Sequence, residues 1–451
     1  MTRWRFEKPR SFLASARHLL FAVALLGTVA TRAAAVPSFA VQTGQPCNAC
    51  HVGGLGPQLT PFGRNFKMRG YTTRAVRFNV PLAAFAIASY THTIKDQPPA
   101  PSFGPNDNLA IDQISLFLAG GLGSHLGAFI QNTYDGVAKS FQWDNLDVRA
   151  VTTTTVKGAN VVLGLNLNNN PTVQDSFNTL LAWGFPYTSS SLEPHPAASP
   201  LIGNLAQNTL GLSAYTWINS EVYAELGGYR SLGAGFLTHA GIDPFVPGKI
   251  DGVAPYARVA YQKNFGDRNF EVGAFALDAK LFPARDQTTG FSDHYTDLGL
   301  DASWQLFAAN KDVFSVNGRY TYERQRLDAS RALGLANNTV NNLQDIRVDA
   351  SYYWKNKIGL SAQLFNTWGS RDILLYASDR TLRPDSSGLN LQLDGTPYGD
   401  GKSPLGTRFN LRVGVQYTAY FRFDGAGANY DGLGHNASDN NSLRVFSWIY
   451  Y

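Results

Sequence analysis

Apolar and polar residues alternate one by one over most of the chain, from about Arg77 to the C-terminus. In residues 344–354, Ile346 and Val348 alternate with Asp345 and Arg347, and residues 407–422 repeat the pattern. Clusters of Gly, Asn, Asp and Pro separate segments of roughly ten residues, the length expected of a strand that crosses an outer membrane. Period-two alternation predicts strands with one apolar and one polar face.

The connections between these segments alternate between short and long. The short ones are residues 120–124, 218–219, 265–266 and 355–357, and the long ones are 93–107, 169–207, 231–252 and 325–342. Short turns at one end and long loops at the other are typical of outer-membrane β-barrels. Closure into a barrel also leaves no unpaired strand edge in lipid. A large soluble sandwich or propeller is the alternative, and no blade-length repeat supports it.

Strand number follows from parity, because bacterial single-chain barrels have an even number of strands. The clear segments are odd in number, so residues 370–406 must contain one more strand, which we assign to Gly388–Leu393. The last segment, Ser442–Tyr451, alternates up to a terminal aromatic residue. The predicted fold is therefore all-β, an antiparallel outer-membrane barrel of about 16 strands.

The N-terminus predicts three regions along the chain. Basic residues, the apolar run Leu19–Ala30 and then Ala33-Ala34-Ala35 predict a secretory signal peptide over residues 1–35. Residues 36–76 form a short segment that contains the candidate cofactor-binding residues, and residues 77–451 form the porin-like barrel. Without the signal peptide, the totals of 38 basic and 33 acidic residues become 32 and 32. This neutral balance gives no support to nucleic-acid binding. The signal peptide and the barrel together predict Sec export and insertion into the lipid of a Gram-negative outer membrane.

Cys47-Asn48-Ala49-Cys50-His51 is the C-x-x-C-H signature of covalent haem attachment. The two thiols bond to the haem vinyl groups, and the adjacent imidazole becomes an axial iron ligand. The alternatives are a local disulfide or redox pair and part of a zinc site. The first would need a thioredoxin-like context and the second further Cys or His residues at ligand spacing. The motif therefore predicts one covalent haem c held by Cys47, Cys50 and His51.

The second axial ligand is open at this point. Met68, the one methionine after the signal peptide, follows His51 closely enough to fold back to the iron. Thr60-Pro61 and Gly70 predict a short helix over residues 61–69, one of one or two in this segment. On that helix Met68 lies roughly opposite Phe62 and Phe66, so its alternative role is to fill a gap in an apolar core. His195 and His125 are the next candidates. No motif indicates a catalytic residue.

The segment resembles the start of the outer-membrane fused cytochrome-porins, whose best-known members are iron oxidases. The resemblance rests on Pro37–Ala40, Gln42–Gly44, Cys47–His51, Leu59–Arg64, Phe66-Lys67 and Gly70-Tyr71. It differs from the iron oxidases at Val41, where a basic residue is common, and over Val52–Gly56. The order of signal peptide, single motif, short linker and barrel matches over the whole chain.

The resemblance implies an electron-transfer protein with Fe(II) oxidase activity. An extracellular donor, Fe(II) or another, would reduce the haem, and a periplasmic cytochrome or copper protein would take the electron onward. Two other functions stay open: a diffusion or solute-binding porin with a haem plug, and export of electrons to an external acceptor. An open lumen would favour the porin, and a filled lumen with the motif near one mouth would favour the conduit.

Overall fold

A single antiparallel sheet closes on itself in the computed structural model, which describes residues 38–76 and 80–451. The predicted signal peptide lies outside the described residues. The strands are β1 Leu82–Thr93, β2 Asn108–Gly121, β3 Leu126–Asp135, β4 Ser140–Val156, β5 Ala159–Asn168, β6 Thr209–Ile218, β7 Val222–Ser231, β8 Lys249–Ile250, β9 Ala254–Phe265, β10 Arg268–Phe282, β11 Asp293–Phe307, β12 Val313–Arg326, β13 Val340–Trp354, β14 Ile358–Gly369, β15 Ser386–Gly395, β16 Asn410–Arg422 and β17 Ser442–Tyr450.

Sixteen of these strands form the barrel wall. The two-residue strand β8 lies in a long connection and pairs with the end of β10. Each wall strand pairs with its sequence neighbours, and β17 pairs with both β16 and β1, with Phe85 opposite Tyr450 and Thr93 opposite Ser442. The predicted sixteen-stranded antiparallel barrel is confirmed. The predicted hidden strand at Gly388–Leu393 is the centre of β15.

The wall is apolar outside and polar inside, as its alternation predicts. On β13, Ile346 and Val348 on the outer face are 38% and 45% exposed, whereas Asp345 on the inner face is 1% exposed. On β16, Val413 faces outward and Arg412 is buried. A soluble protein buries its apolar face, so this inverted pattern is that of a barrel whose outer surface meets lipid.

The two ends of the barrel differ in their connections. Most connections at one end are short, such as residues 157–158 and 266–267, although β15 and β16 are joined by the longer residues 396–409. The other end carries most of the long loops. In outer-membrane barrels the short turns are periplasmic, so both ends of the barrel-forming region lie at the periplasmic side.

The described helices are all short. They are α1 Ser38–Thr43, α2 Cys47–Cys50, α3 Pro61–Met68, α4 Leu201–Asn204, α5 Ala234–His239 and α6 Asp328–Ala332, with 3-10 turns at Val52–Gly54, Leu181–Trp183, Pro283–Arg285 and Ala437–Asn440. The helix predicted over residues 61–69 is confirmed as α3, one residue shorter. The described part of the N-terminal segment has three helices rather than one or two, because the C-x-x-C-H motif itself forms a turn after Pro46. No helix in the described ranges has the length and apolarity needed to cross a bilayer.

Two segments fold into the lumen. We call residues 38–76 the plug segment and residues 169–208, between β5 and β6, the inner loop. The inner loop reaches widely separated strands: Ile202 N–H donates to Asp297 on β11 (2.8 Å), and Tyr420 on β16 donates to the carbonyl of Pro194 (2.7 Å). The plug segment likewise contacts both halves of the wall. Together they occupy much of the space that the wall encloses.

Candidate cofactor site in the barrel lumen

The plug segment is tied to the wall by hydrogen bonds on several sides. The hydroxyl of Tyr71 donates to Asp147 on β4 (2.6 Å), and Gln58 Nε2 donates to Ser315 Oγ on β12 (2.7 Å). The guanidinium of Arg64 donates to Asn269 on β10 (2.7 Å) and Gln305 on β11 (3.0 Å). Buried donors that each meet an acceptor fix the position of a segment as well as its contacts. The plug segment is therefore held in one place inside the barrel.

Plug segment and inner loop are also tied to each other, chiefly through Lys67. Its Nζ donates to the carbonyls of Val173 and Asp175 (2.7 Å each) and to Asn178 Oδ1 (2.5 Å), and it lies 5.3 Å from the ring centre of Trp183. Burial and the nearby charge of Arg149 lower the pKa of Lys67 to about 7, against neighbouring carboxylates that raise it. The two segments therefore form one interior layer.

Local sequence explains how the C-x-x-C-H motif is shaped. The helix α2 begins after Pro46, and the N–H of His51 donates to the carbonyl of Cys47 (2.9 Å). Thr60 caps α3 by accepting from Gly63 N–H (3.2 Å), and its hydroxyl donates to the carbonyl of Ala49 (2.5 Å). One threonine thus joins α3 to the motif. A Cβ at Gly63 would lie 2.3 Å from the carbonyl oxygen of Cys50, so only glycine permits this approach.

Both cysteines and His51 line a cavity of about 410 Å³ in the lumen. Its other walls come from three parts of the chain: the plug segment, the strands next to the barrel closure and the inner loop. They include Phe39, Leu59 and Phe66; Phe85, Phe117, Phe129, Trp448 and Tyr450; and Asn178, Leu181, Trp183 and Tyr187. Pockets for cofactors and other small molecules commonly measure about 300–1,000 Å³ and have mostly apolar and aromatic walls.

Most of the cavity lining is apolar and aromatic. Four polar side chains of β2, β3 and β4 also line it: Gln113, Gln131, Asp144 and Asn145. These side chains bond to one another, for example Asn145 Nδ2 to Gln131 Oε1 at 3.1 Å. A largely apolar group that also carries polar atoms would find partners for both in this lining.

Burial keeps all three groups of the motif uncharged, and for His51 this is the form required for iron ligation. Burial raises the pKa of Cys50 to about 12 and also raises that of Cys47, so both groups are neutral thiols. Burial lowers the pKa of His51 to about 4, with the charge of Arg412 acting in the same direction, so the imidazole is neutral. Its Nδ1 is buried and makes no hydrogen bond to the described residues. A neutral imidazole is the form that ligates iron.

The alternatives for the motif find less support. The two cysteines are not joined in a disulfide, and a redox-active pair would need a lowered rather than a raised thiol pKa. Across residues 38–76 and 80–451, no group of three or more His, Cys, Asp or Glu side chains is placed to hold a metal ion. A zinc site built on Cys47 and Cys50 would require such a group.

The candidate second ligands lie away from the cavity. Met68 is fully buried beside Val151, Tyr215 and Trp217, and it is absent from the cavity lining. His125 bonds through Nδ1 to the carbonyl of Val151 (2.9 Å). His195 lies 3.2 Å from the carbonyl of Ser190. His51 is the one histidine among the described residues that line the cavity. Met68 as the second axial ligand therefore stays a prediction. The fold does not place its side chain in the cavity that His51 lines.

The sequence analysis did not predict that the inner loop would line the cavity. The signal was present in its composition, since residues 169–208 contain no Lys or Arg and only two carboxylates, Asp175 and Glu193. A long connection with so few charges is better suited to burial than to solvent. Asp175 is itself neutralised by Arg258 on β9, at 3.0 Å.

The comparisons with known proteins find similar solved structures and no matching family. No family model and no curated protein matches the chain. Among solved structures, Pseudomonas putida OprB is 12% identical over 88% of this chain and 98% of its own, with a TM-score of 0.47. Salmonella typhi OmpF is 14% identical (82% and 97% covered, TM-score 0.44), and the Acinetobacter baumannii outer membrane channel DcaP is 10% identical (83% and 99%, 0.43).

None of these comparisons supports the resemblance to fused cytochrome-porins. That resemblance stays a hypothesis. The fold and the location stand independently of it. The chain is a closed sixteen-stranded antiparallel barrel of the Gram-negative outer membrane, and its apolar outer wall meets lipid.

Proposed function

We propose that this barrel is an outer-membrane c-type cytochrome. One haem would be bonded to Cys47 and Cys50 and ligated by His51, and electrons would pass between an extracellular donor and a periplasmic cytochrome or copper protein. When bound, the haem supplies a one-electron couple that the side chains of this site lack. Fe(II) is the donor that the family resemblance implies, and it enters the proposal on that basis alone.

The observation that carries the proposal is the convergence of both thiols and the His51 imidazole on one aromatic cavity of about 410 Å³. A C-x-x-C-H motif on a surface loop would have no such volume beside it. Here, the cavity is enclosed by the plug segment, the inner loop and the strands next to the barrel closure. The residues of this chain contribute three functions: they hold the cofactor, exclude water from its faces and keep the ligand imidazole neutral.

The position of the motif suits exchange with a periplasmic protein. Asn48 N–H donates to the carbonyl of Gly399 (3.0 Å), in the connection between β15 and β16 at the short-turn end. Lys355 and Lys402 lie in the two connections at this end that contact the motif, whereas Lys357 there pairs with Asp400 (2.9 Å). Basic residues around a redox centre favour encounter with an acidic partner protein.

The attachment can be tested by replacing Cys47 and Cys50 together by Ala. The wild-type protein, matured in a host with a c-type haem attachment system, should carry haem through denaturing electrophoresis, and the variant should not. Retention of heat-modifiable migration by the variant would show that the barrel still forms. Covalent haem in the variant, or its absence from the wild type, would overturn the proposal. Mixing oxidised holoprotein with Fe(II) at several pH values then tests the donor.

A solute channel is the second candidate. The sixteen-stranded wall favours it, because barrels of 16–18 strands commonly enclose an aqueous channel. The plug segment and inner loop oppose it, since both cross the lumen. Conductance in planar bilayers separates the two functions. Steady conductance like that of an open porin would favour a solute channel, whereas a closed bilayer record together with rapid haem reduction would favour the electron conduit.

A further inference from the structure

The glycine-rich stretch Val52–Gly56 directly follows His51 and is one place where the sequence differs from the iron oxidases it resembles. In the structure it wraps around the side chain of Arg412 from β16. Gly53 has φ of 71°, and a Cβ there would lie 2.6 Å from Arg412 Nη2 and 2.5 Å from the ring of Tyr353. Gly56 has φ of 103°, and its Cβ would lie 3.2 Å from Arg412 Nη1. The glycines therefore make room for this guanidinium.

Arg412 is anchored on all but one side. Its Nη2 donates to the carbonyl of Gly53 (3.3 Å), and its Nε donates to Thr396 Oγ1 (3.3 Å) and lies 3.3 Å from Asp394 Oδ1. The guanidinium carbon lies 5.7 Å from the ring centre of Tyr353. The side chain is almost fully buried, and its Nη1 has no hydrogen-bond partner in the described chain. Buried polar atoms usually find partners, so this orphaned edge of a cation requires an explanation.

A buried charge near a redox centre changes the relative stability of its two oxidation states. Oxidation adds one positive charge to the haem, and a nearby cation disfavours that step because the low dielectric of the interior screens it poorly. A carboxylate acts in the opposite direction. Arg412 and Asp394 lie together beside the stretch that follows His51, so each should affect the iron, with opposite sign.

We propose that Arg412 is a positioning residue for the haem site. It holds the Val52–Gly56 stretch, and with it the His51 ring, and its buried charge raises the reduction potential of the haem. The inference rests on the proposed function, since it requires haem at Cys47 and Cys50. Arg412 would thus determine which donors can reduce the protein, without touching the reacting atoms.

The test is a spectroelectrochemical titration of the purified holoprotein and its variants. Arg412→Gln removes the cation and leaves Asp394 unpaired, so the midpoint potential should fall. We expect the ferric-to-ferrous ratio at fixed ambient potential to rise roughly tenfold, equivalent to about 59 mV for a one-electron couple. Asp394→Asn should shift the potential upward. Arg412→Lys keeps the charge but loses the forked contacts, so it should stay nearer the wild-type potential than the Gln variant.

Arg258→Gln is the matched control. Arg258 is equally buried in the lumen and pairs with Asp175, Glu271 and Asp301, away from the Val52–Gly56 stretch. It should leave the potential near the wild-type value. Unchanged potentials in both the Arg412→Gln and Asp394→Asn variants would overturn the inference. If these variants still carried covalent haem, the proposed function would stand. If Arg412→Gln fails to fold, Asp394→Asn still decides the sign, because an unchanged or lower potential in that variant would overturn the inference.

Discussion

The surroundings of Met68 bear on the second axial ligand. Its side chain packs among Val151, Tyr215 and Trp217, and its sulfur lies 3.8 Å from Nη1 of Arg149. Methionine fills irregular apolar gaps well, because its side chain is unbranched and polarisable. The opposite placement of Met68 and Phe66 on α3, expected from helical periodicity, carries Phe66 to the cavity and Met68 away from it. These contacts favour the gap-filling role.

Replacing Met68 by Leu tests that role. If Met68 packs, the change conserves volume and should cost less than about 1.5 kcal/mol in the free energy of unfolding. The visible spectrum and midpoint potential of the holoprotein should be unchanged. Loss of the methionine-to-iron absorption band with a lower potential would instead identify Met68 as the axial ligand. An unchanged spectrum would direct the search to other cavity-lining donors.

At the residue scale, the sequence predicts what is local and misses what is distant. Cys47, Cys50 and His51 meet at one cavity because covalent spacing alone keeps them together. Arg412, by contrast, contacts Gly53 across 359 positions of the chain. No periodicity or motif indicates which lumen-facing arginine will contact the plug segment, because that contact depends on strand order and on where the plug segment lies in the lumen.

Helix α3 shows how one element can be predicted and its packing not. Its N-cap at Thr60, its proline at the first position and its end near Gly70 follow from local preferences. Its contact with α2 does not follow from them. The carbonyl of Cys50 lies where a side chain at residue 63 would be, so Gly63 serves for close approach of the two elements.

Gly63→Ala should therefore disturb the plug segment. The added Cβ would meet a backbone atom at 2.3 Å, and overpacking of this kind costs roughly 1–3 kcal/mol. We expect a lower unfolding midpoint in detergent and less covalent haem per protein. Gly235→Ala is the matched control, because Gly235 also lies in a helix and nothing is found within 4 Å of its Cβ position. Equal haem content and stability in the two variants would contradict this account of α3.

The inner loop illustrates the limit of element prediction. Its length predicts a long extracellular connection, and that placement in the order of strands is correct. Its inward course depends on partners contributed by other strands, such as Asp297, Glu323 and Gln363. A low content of charged residues is the one local sign of burial. The low charge of the loop does not by itself predict that Trp183 and Tyr187 line the cavity.

For the whole molecule, alternation, connection length and parity were sufficient to predict the barrel. They act on every strand at once, so an error in one segment leaves the strand count nearly fixed. The lumen is different, since its contents are set by a few long-range contacts. The same wall could enclose an open channel or a cofactor layer, and the choice lies in the plug segment and inner loop.

Closure of that wall depends on β17, which pairs with β16 on one side and β1 on the other. Deleting residues 442–451 would leave two unpaired edges in lipid, where each free backbone group costs several kcal/mol. We expect the wild type to fractionate with the outer membrane and to migrate differently on gels before and after heating. The deletion should abolish both properties.

A matched deletion of residues 98–103, in the exposed β1–β2 connection, removes no wall pairing and should preserve both. Normal assembly of the β17 deletion would show that the sixteen-stranded closure is not required, and recovery of the wild type in the soluble periplasm would contradict the barrel itself.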